Sequence, residues 1–90
     1  MSYTVAVAPA AQRDLGALPR DVQVRMAAKI DDLRNDPRPP GVKKLSGHAD
    51  LYRVRVGDYR VVYTVDDANQ TVLITALGHR SDIYRRGFGP

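Results

Sequence analysis

Arginine is the residue with the most chemistry to offer in this chain. In the run Leu51-Tyr-Arg-Val-Arg-Val-Gly-Asp-Tyr-Arg-Val-Val-Tyr-Thr-Val65, polar and apolar residues alternate on both sides of Gly57-Asp58, a two-residue tight-turn signal. Pairing Val56 with Tyr59 sets Arg55 directly opposite Arg60, with Arg53 two residues along the same face. Like charges directly opposite on a sheet destabilise it. An anion held between them removes that penalty. Phosphate suits the place, because a guanidinium is planar, permanently charged and able to donate two parallel hydrogen bonds to it.

The next strand adds to this cluster. Pairing Val65 with Thr71 around a five-residue loop, residues 66–70, puts Val62, Ile74, Ala76 and Arg80 on the face of Arg60. A four-residue loop reverses that parity. In the first register Arg53, Arg55, Arg60 and Arg80 converge near one end of the sheet, and Tyr84 arrives from the tail. Several guanidinium groups around one phosphate can stabilise a five-coordinate transition state. Tyr84 can stack on a base or move a proton, since nearby cations favour the ionised phenol.

Each residue also has a plainer role open to it. Arg53 can be a solvated strand residue, Arg80 a helix-end or tail anchor, and Tyr84 a pin for the tail. His79 is either a proton carrier or a rim residue, and Lys43 and Lys44 are expected to touch a nucleic-acid backbone without doing chemistry. His48 sits in a loop and is given no role. Tyr52, Tyr59 and Tyr63 fall on the other face and read as core.

The elements that must position these groups are legible in outline. Tyr3-Thr-Val-Ala-Val7 alternates and reads as a first strand. Pro9 can open a short helix reaching about Ala17, with Gly16 and Pro19 limiting it. Val22, Met26, Ile30 and Leu33 recur at helical spacing, and Asn35-Asp-Pro37 ends that second helix. Pro37-Arg-Pro-Pro-Gly41 is a stiff connector, and Val42-Lys-Lys-Leu45 a short extended piece. Thr71-Val-Leu-Ile-Thr-Ala-Leu77 is nearly unbroken apolar, as a strand buried on both faces would be. The tail from Ser81 is too short and glycine-rich to count as an element. The expectation is an α+β fold over residues 1–90, a β-α-α-β-β-β single domain with a helical hairpin on one face of a mostly antiparallel four-stranded sheet.

Composition narrows the function. Ninety residues at 43% hydrophobic support one small core. With no cysteine and two histidines, neither a disulfide framework nor a metal centre is expected, and no cofactor is implied. No apolar run approaches the ~20 residues that span a bilayer. The start lacks the pattern of a signal peptide, so a cytoplasmic protein with no membrane partner is expected. Residues 1–36 carry five basic and five acidic side chains, whereas residues 37–90 carry nine and five. The whole excess of +4 therefore lies in the half that holds the arginine cluster, which is the electrostatic footprint of a nucleic-acid binder.

Together, Lys44-Leu-Ser-Gly47, the hairpin Leu51 to Tyr63, and Gly78-His-Arg-Ser-Asp-Ile-Tyr84 resemble the RelE-like branch of the RelE/ParE toxins of type II toxin–antitoxin systems. The resemblance spans essentially the whole chain. It implies a metal-independent endoribonuclease that cuts messenger RNA in the ribosomal A site. The 2′-hydroxyl attacks the adjacent phosphate, giving a 2′,3′-cyclic phosphate and a 5′-hydroxyl. The family's functional positions fall on Arg53, Arg55, Arg60, Arg80 and Tyr84, a set typically incomplete in the ParE branch. The best-known members carry lysine where Arg53 and Arg55 stand. Arginine effectively cannot lose its proton, so Arg55 is not the general base. Tyr84, with His79 as second candidate, takes the 2′-hydroxyl proton while Arg60 and Arg80 hold the phosphate. The resemblance also implies a cognate antitoxin that covers the basic site, with operator DNA bound chiefly through the antitoxin. The alternatives are a ParE-type toxin acting on a topoisomerase, and a degenerate relative that only binds nucleic acid or antitoxin.

Overall fold

The computed structural model describes residues 2–45 and 50–88; the loop expected at residues 46–49, with His48, lies outside them. Strand β1 (Thr4–Val7) leads into α1 (Pro9–Gly16) and α2 (Arg20–Asp32). A two-residue strand β2 (Lys43–Lys44), then β3 (Leu51–Val56), β4 (Tyr59–Asp66), β5 (Thr71–His79) and a short helix α3 (Arg80–Arg85) follow. The sheet has five strands in the order β1-β5-β4-β3-β2, and only the β1–β5 pair is parallel. The fifth strand is the Lys43–Lys44 piece, which pairs with the outer edge of β3. Its two lysines and the preceding prolines blunt that edge against further pairing.

The helical hairpin buries Ala11, Val22, Met26, Ile30 and Leu33 against Tyr52, Val54, Val61, Tyr63, Val65, Val72, Ile74 and Leu77. The tyrosines assigned to the core lie there, with Tyr59 at its margin. Burial pushes the Tyr63 phenol far above the ordinary range. Its hydroxyl donates to the Pro37 carbonyl at 2.8 Å, which ties the proline-rich connector to the underside of the sheet. The opposite face is covered too. Leu45, Leu51, Val62, Ala76 and Ile83 form a second, smaller cluster, with Phe88 packed against it. The tail is therefore an element after all, because Ile83 is fully buried when α3 lies on this face.

Register decides which side chains share the arginine face. The β3–β4 hairpin pairs Val56 with Tyr59 and Arg55 with Arg60, as expected. Gly57 has φ +59, the first-position requirement of a type II′ turn. A Cβ there would also collide with the Arg25 guanidinium, which reaches from α2 over the hairpin tip. The β4–β5 register differs from expectation. Asp66, not Val65, pairs with Thr71, so the loop has four residues rather than five. The Asp66 carboxylate closes it by accepting from the Asn69 backbone (3.1 Å) and side chain (2.8 Å).

This reversal sends Ile74 into the helix-side core instead of onto the arginine face. Between Val62 and Tyr63 the register then shifts, leaving Thr75 as an extra residue whose hydroxyl donates to the Val62 carbonyl at 3.2 Å. The bulge flips parity a second time. Val62 faces Ala76 and Arg60 faces Gly78, so both pairs lie on the expected side.

Candidate active site

Arg55 and Arg60 sit opposite each other at the turn end of the hairpin, with Cβ atoms about 4.5–5.5 Å apart by sheet geometry. Arg60 donates to the Gly57 carbonyl at 3.0 Å and the Tyr59 carbonyl at 2.9 Å, and Arg55 to Gly57 at 3.3 Å. Backbone oxygens thus hold both groups, and neither forms an ion pair among the described residues. Arg80 opens α3, its amide bonded to the Asp58 carbonyl of the hairpin turn at 2.8 Å. That bond fixes the helix start to the hairpin tip.

Helix α3 has good local reasons to form. His79 caps it, its Nδ1 accepting from the Ser81 amide at 3.2 Å. Asp82 stands in the first turn and Arg85 in the last, matching the helix dipole. Arg86 anchors its far end through a two-point contact with Asp14 of α1 (3.0 Å each) and a 2.7 Å contact with Asp82. Asp14 also accepts from the Leu77 amide at 3.3 Å, on the stretch of β5 that β1 does not reach.

The helix presents Tyr84 one turn after Arg80, so their side chains share a face. Tyr84 is 36% exposed. Its phenol is held below the ordinary tyrosine range, first by the neighbouring Arg60 guanidinium, opposed next by desolvation, with the charges of Arg60, Arg53 and Arg80 adding to the lowering. Two strands, β3 and β4, and the last helix therefore bring Arg53, Arg60, Arg80 and Tyr84 into one electrostatic neighbourhood, with Arg55 opposite Arg60.

Other candidates lie differently. Arg53 is not solvated: it is 7% exposed, the one charged side chain buried among the described residues. Lys43 pairs with Arg53 and shares its face from the edge strand, while Lys44 pairs with Tyr52 on the helix side. His79 pairs with Tyr59 and meets that ring edge-on at 5.5 Å. It is thus on the far side of the sheet from Arg60, with Nδ1 committed to the helix cap. Arg25 at the hairpin tip and Phe88 under the tail went unnoticed in the sequence. Phe88 had a signal, as the only phenylalanine, set between two glycines; Arg25 had none. Among the described residues no group of His, Cys, Asp or Glu gathers as metal ligands, and no helix is long and apolar enough to cross a membrane.

A basic pair on a hairpin, backed by a capped helix carrying Arg80 and Tyr84, defines a small α+β protein with basic groups gathered at one end of its sheet. The chain belongs to the family described as the ParE toxin of type II toxin–antitoxin systems, whose model matches residues 5–84. Within that family its relatives are RelE-like. It is 38% identical over 90 residues to Toxin RelG of Mycobacterium tuberculosis, covering 96% of this chain and 100% of the relative. The toxin–antitoxin complex RelBE2 from the same organism contains a similar chain, with TM-score 0.80 and 33% identity over 89% of this chain and 100% of that one. The RelE–RelB complex of Pyrococcus horikoshii contains another, with TM-score 0.78 and 35% identity over 89% and 97%.

Proposed function

We propose that this RelE-like toxin is a cytoplasmic endoribonuclease that cleaves messenger RNA in the ribosomal A site, is neutralised by a cognate antitoxin, and meets operator DNA only as part of the antitoxin complex. The observation that carries the reading is the set of arginines that form no ion pair among the described residues, Arg55, Arg60 and Arg80, disposed around a phenol of lowered pKa. A scissile phosphate placed among them satisfies their charge. Arg60 and Arg80 hold its non-bridging oxygens, and Arg55 adds charge from the facing strand. The Tyr84 phenolate takes the proton of the 2′-hydroxyl. The 2′-oxygen then bonds to phosphorus as the P–O5′ bond breaks, and the leaving oxygen takes up a proton to become a 5′-hydroxyl. Positioning by the ribosome supplies the in-line geometry that so few acid–base groups cannot impose.

The family model favours a second reading, a ParE-type toxin acting on a topoisomerase. One experiment separates them: mapping RNA ends after induction of the wild type, Arg60→Ala and Arg80→Ala. New 5′-hydroxyl ends in the wild type, absent from folded variants, support the nuclease. Growth arrest with intact transcripts and damaged DNA supports the ParE reading and rejects it.

A further inference from the structure

Arg53 stands in the middle of the arginine face, yet it does not face outward as its neighbours do. Its guanidinium lies 5.0 Å from the centroid of the Tyr84 ring. Its Nη1 donates to the Phe88 carbonyl at 2.8 Å. The chain reaches that carbonyl by turning back after α3. Gly87, at φ +95, adopts a conformation few side chains tolerate, and the Gly87 and Phe88 amides bond to the Tyr84 and Ile83 carbonyls at 3.0 and 3.1 Å. The Phe88 ring then packs on the apolar cluster of Leu45, Leu51, Val62, Ala76 and Ile83. Two attachments thus connect one buried cation to the same short helix, one through a ring face and one through the tail.

We propose that Arg53 is a positioning residue rather than a phosphate ligand: its guanidinium, held between the Tyr84 ring and the Phe88 carbonyl, fixes the phenol beside Arg60. Arginine fits this duty. A planar guanidinium can stack on a ring and donate from its edge in the same pose. Burial at 7% exposure excludes a large ligand such as a nucleic-acid backbone from contact with it while the tail is docked. Six residues of helix could otherwise fray, because so short a helix is marginal without tertiary support. The cation beneath the ring supplies that support at the residue that reacts.

This inference rests on the endoribonuclease reading, and its test is a double-mutant cycle on programmed ribosomes. Arg53→Met keeps the apolar stem and removes the cation and donor. It is expected to lower the maximal cleavage rate roughly 10- to 100-fold, as displacement of a reacting group does. The half-saturating toxin concentration stays within about threefold, since no ground-state contact is lost. In a Tyr84→Phe background the same change costs no more than about twofold, because the two residues act as one unit. Arg53→Lys restores part of the rate, keeping the charge but not the flat fork. A raised half-saturating concentration with unchanged maximal rate overturns the proposal in favour of a phosphate ligand. A full penalty in the Tyr84→Phe background overturns it too. If Arg53→Met does not fold, the cycle is run with Arg53→Lys. A wild-type chain that leaves mRNA uncut defeats the nuclease reading alone. The clamp is then decided by the NMR ring resonances of Tyr84, which Arg53→Lys shifts if the clamp exists and leaves in place if it does not.

Discussion

Arg38 and Arg60 are guanidinium groups of the same sheet assembly in opposite surroundings. At one end, on the helix side, Arg38 meets the Asp67 carboxylate at two points (3.0 and 2.9 Å) and donates to the Tyr52 hydroxyl at 3.0 Å. It also lies 5.0 Å from the Tyr52 ring centroid, and Tyr3 donates to the same carboxylate at 2.7 Å. At the other end, Arg60 faces Arg55, donates to backbone carbonyls and lies beside the Tyr84 phenol, with no carboxylate partner among the described residues. The first arrangement is a finished structure: donors and acceptors are matched, and it joins the connector, the β4–β5 loop and the residue leading into β1. The second is unfinished in electrostatic terms, since its positive charge meets no counter-charge among the described residues. On the proposed reading, residues that cost stability in the free protein mark the place where the scissile phosphate completes the balance.

The contrast can be broken most forcefully at the arginine end. On the proposed reading, Arg60→Thr abolishes detectable cleavage, a loss of roughly 10²–10³ in single-turnover rate as for other electrostatic donors. The same substitution leaves the melting temperature unchanged or higher, because relief of an opposed like-charge pair returns about 0.2–1 kcal/mol. A fall in both activity and stability would make Arg60 a structural residue. At the other end the signs reverse: Arg38→Ala lowers stability by about 1 kcal/mol, roughly 4–8 °C in melting temperature for a domain of this size, and leaves cleavage intact.

Acid exposes the same difference. Arg38 and Tyr3 hold Asp67 below the ordinary carboxylate range, and Arg85, with Arg86, does so for Asp82. Both carboxylates bind fewer protons folded than unfolded, so their contribution is complete above the unfolded value of about 4 and disappears as pH falls through the folded values. Melts between pH 6 and pH 2 are expected to show this loss, and Asp67→Asn to flatten its share of it. At alkaline pH the phenols shift in opposite directions, Tyr84 lowered and Tyr3 raised. If the Tyr84 phenolate is the base, the cleavage rate rises with pH and levels off below the range of an ordinary tyrosine, while Tyr84→Phe loses that limb. The smallest expected effect is at Lys43, on the edge strand. Lys43→Ala weakens RNA association uniformly and reduces the salt slope by about one unit, with little change in maximal rate.

Much of the site was legible because it is written in local code. The Gly57-Asp58 turn fixes one hairpin register, and the period of two then dictates that Arg53, Arg55 and Arg60 share a face with Tyr52, Tyr59 and Tyr63 on the other. The second hairpin shows the limit of that reasoning. Asp66 forms a side-chain turn that shortens the loop, and Thr75 supplies a bulge that reverses the result. Two departures from the expected register cancel at Ala76 and do not cancel at Ile74. Neither is marked by a glycine or proline, and a bulge is selected by how both faces of the strand pack.

By itself the sequence determined the order of the main elements, the opposed pair Arg55 and Arg60, and the family to which the chain belongs. These depend on residue types a few positions apart, where steric rules and side-chain alternation act directly. Only the tertiary structure decided that the tail folds into a helix on the second face, that Arg53 is buried beneath Tyr84, and that His79 caps that helix from the far side of the sheet. Those outcomes join residues as far apart as Arg53 and Phe88. A six-residue helix has too little stability of its own to be read from propensity; burial of Ile83 and Phe88 against the sheet creates it.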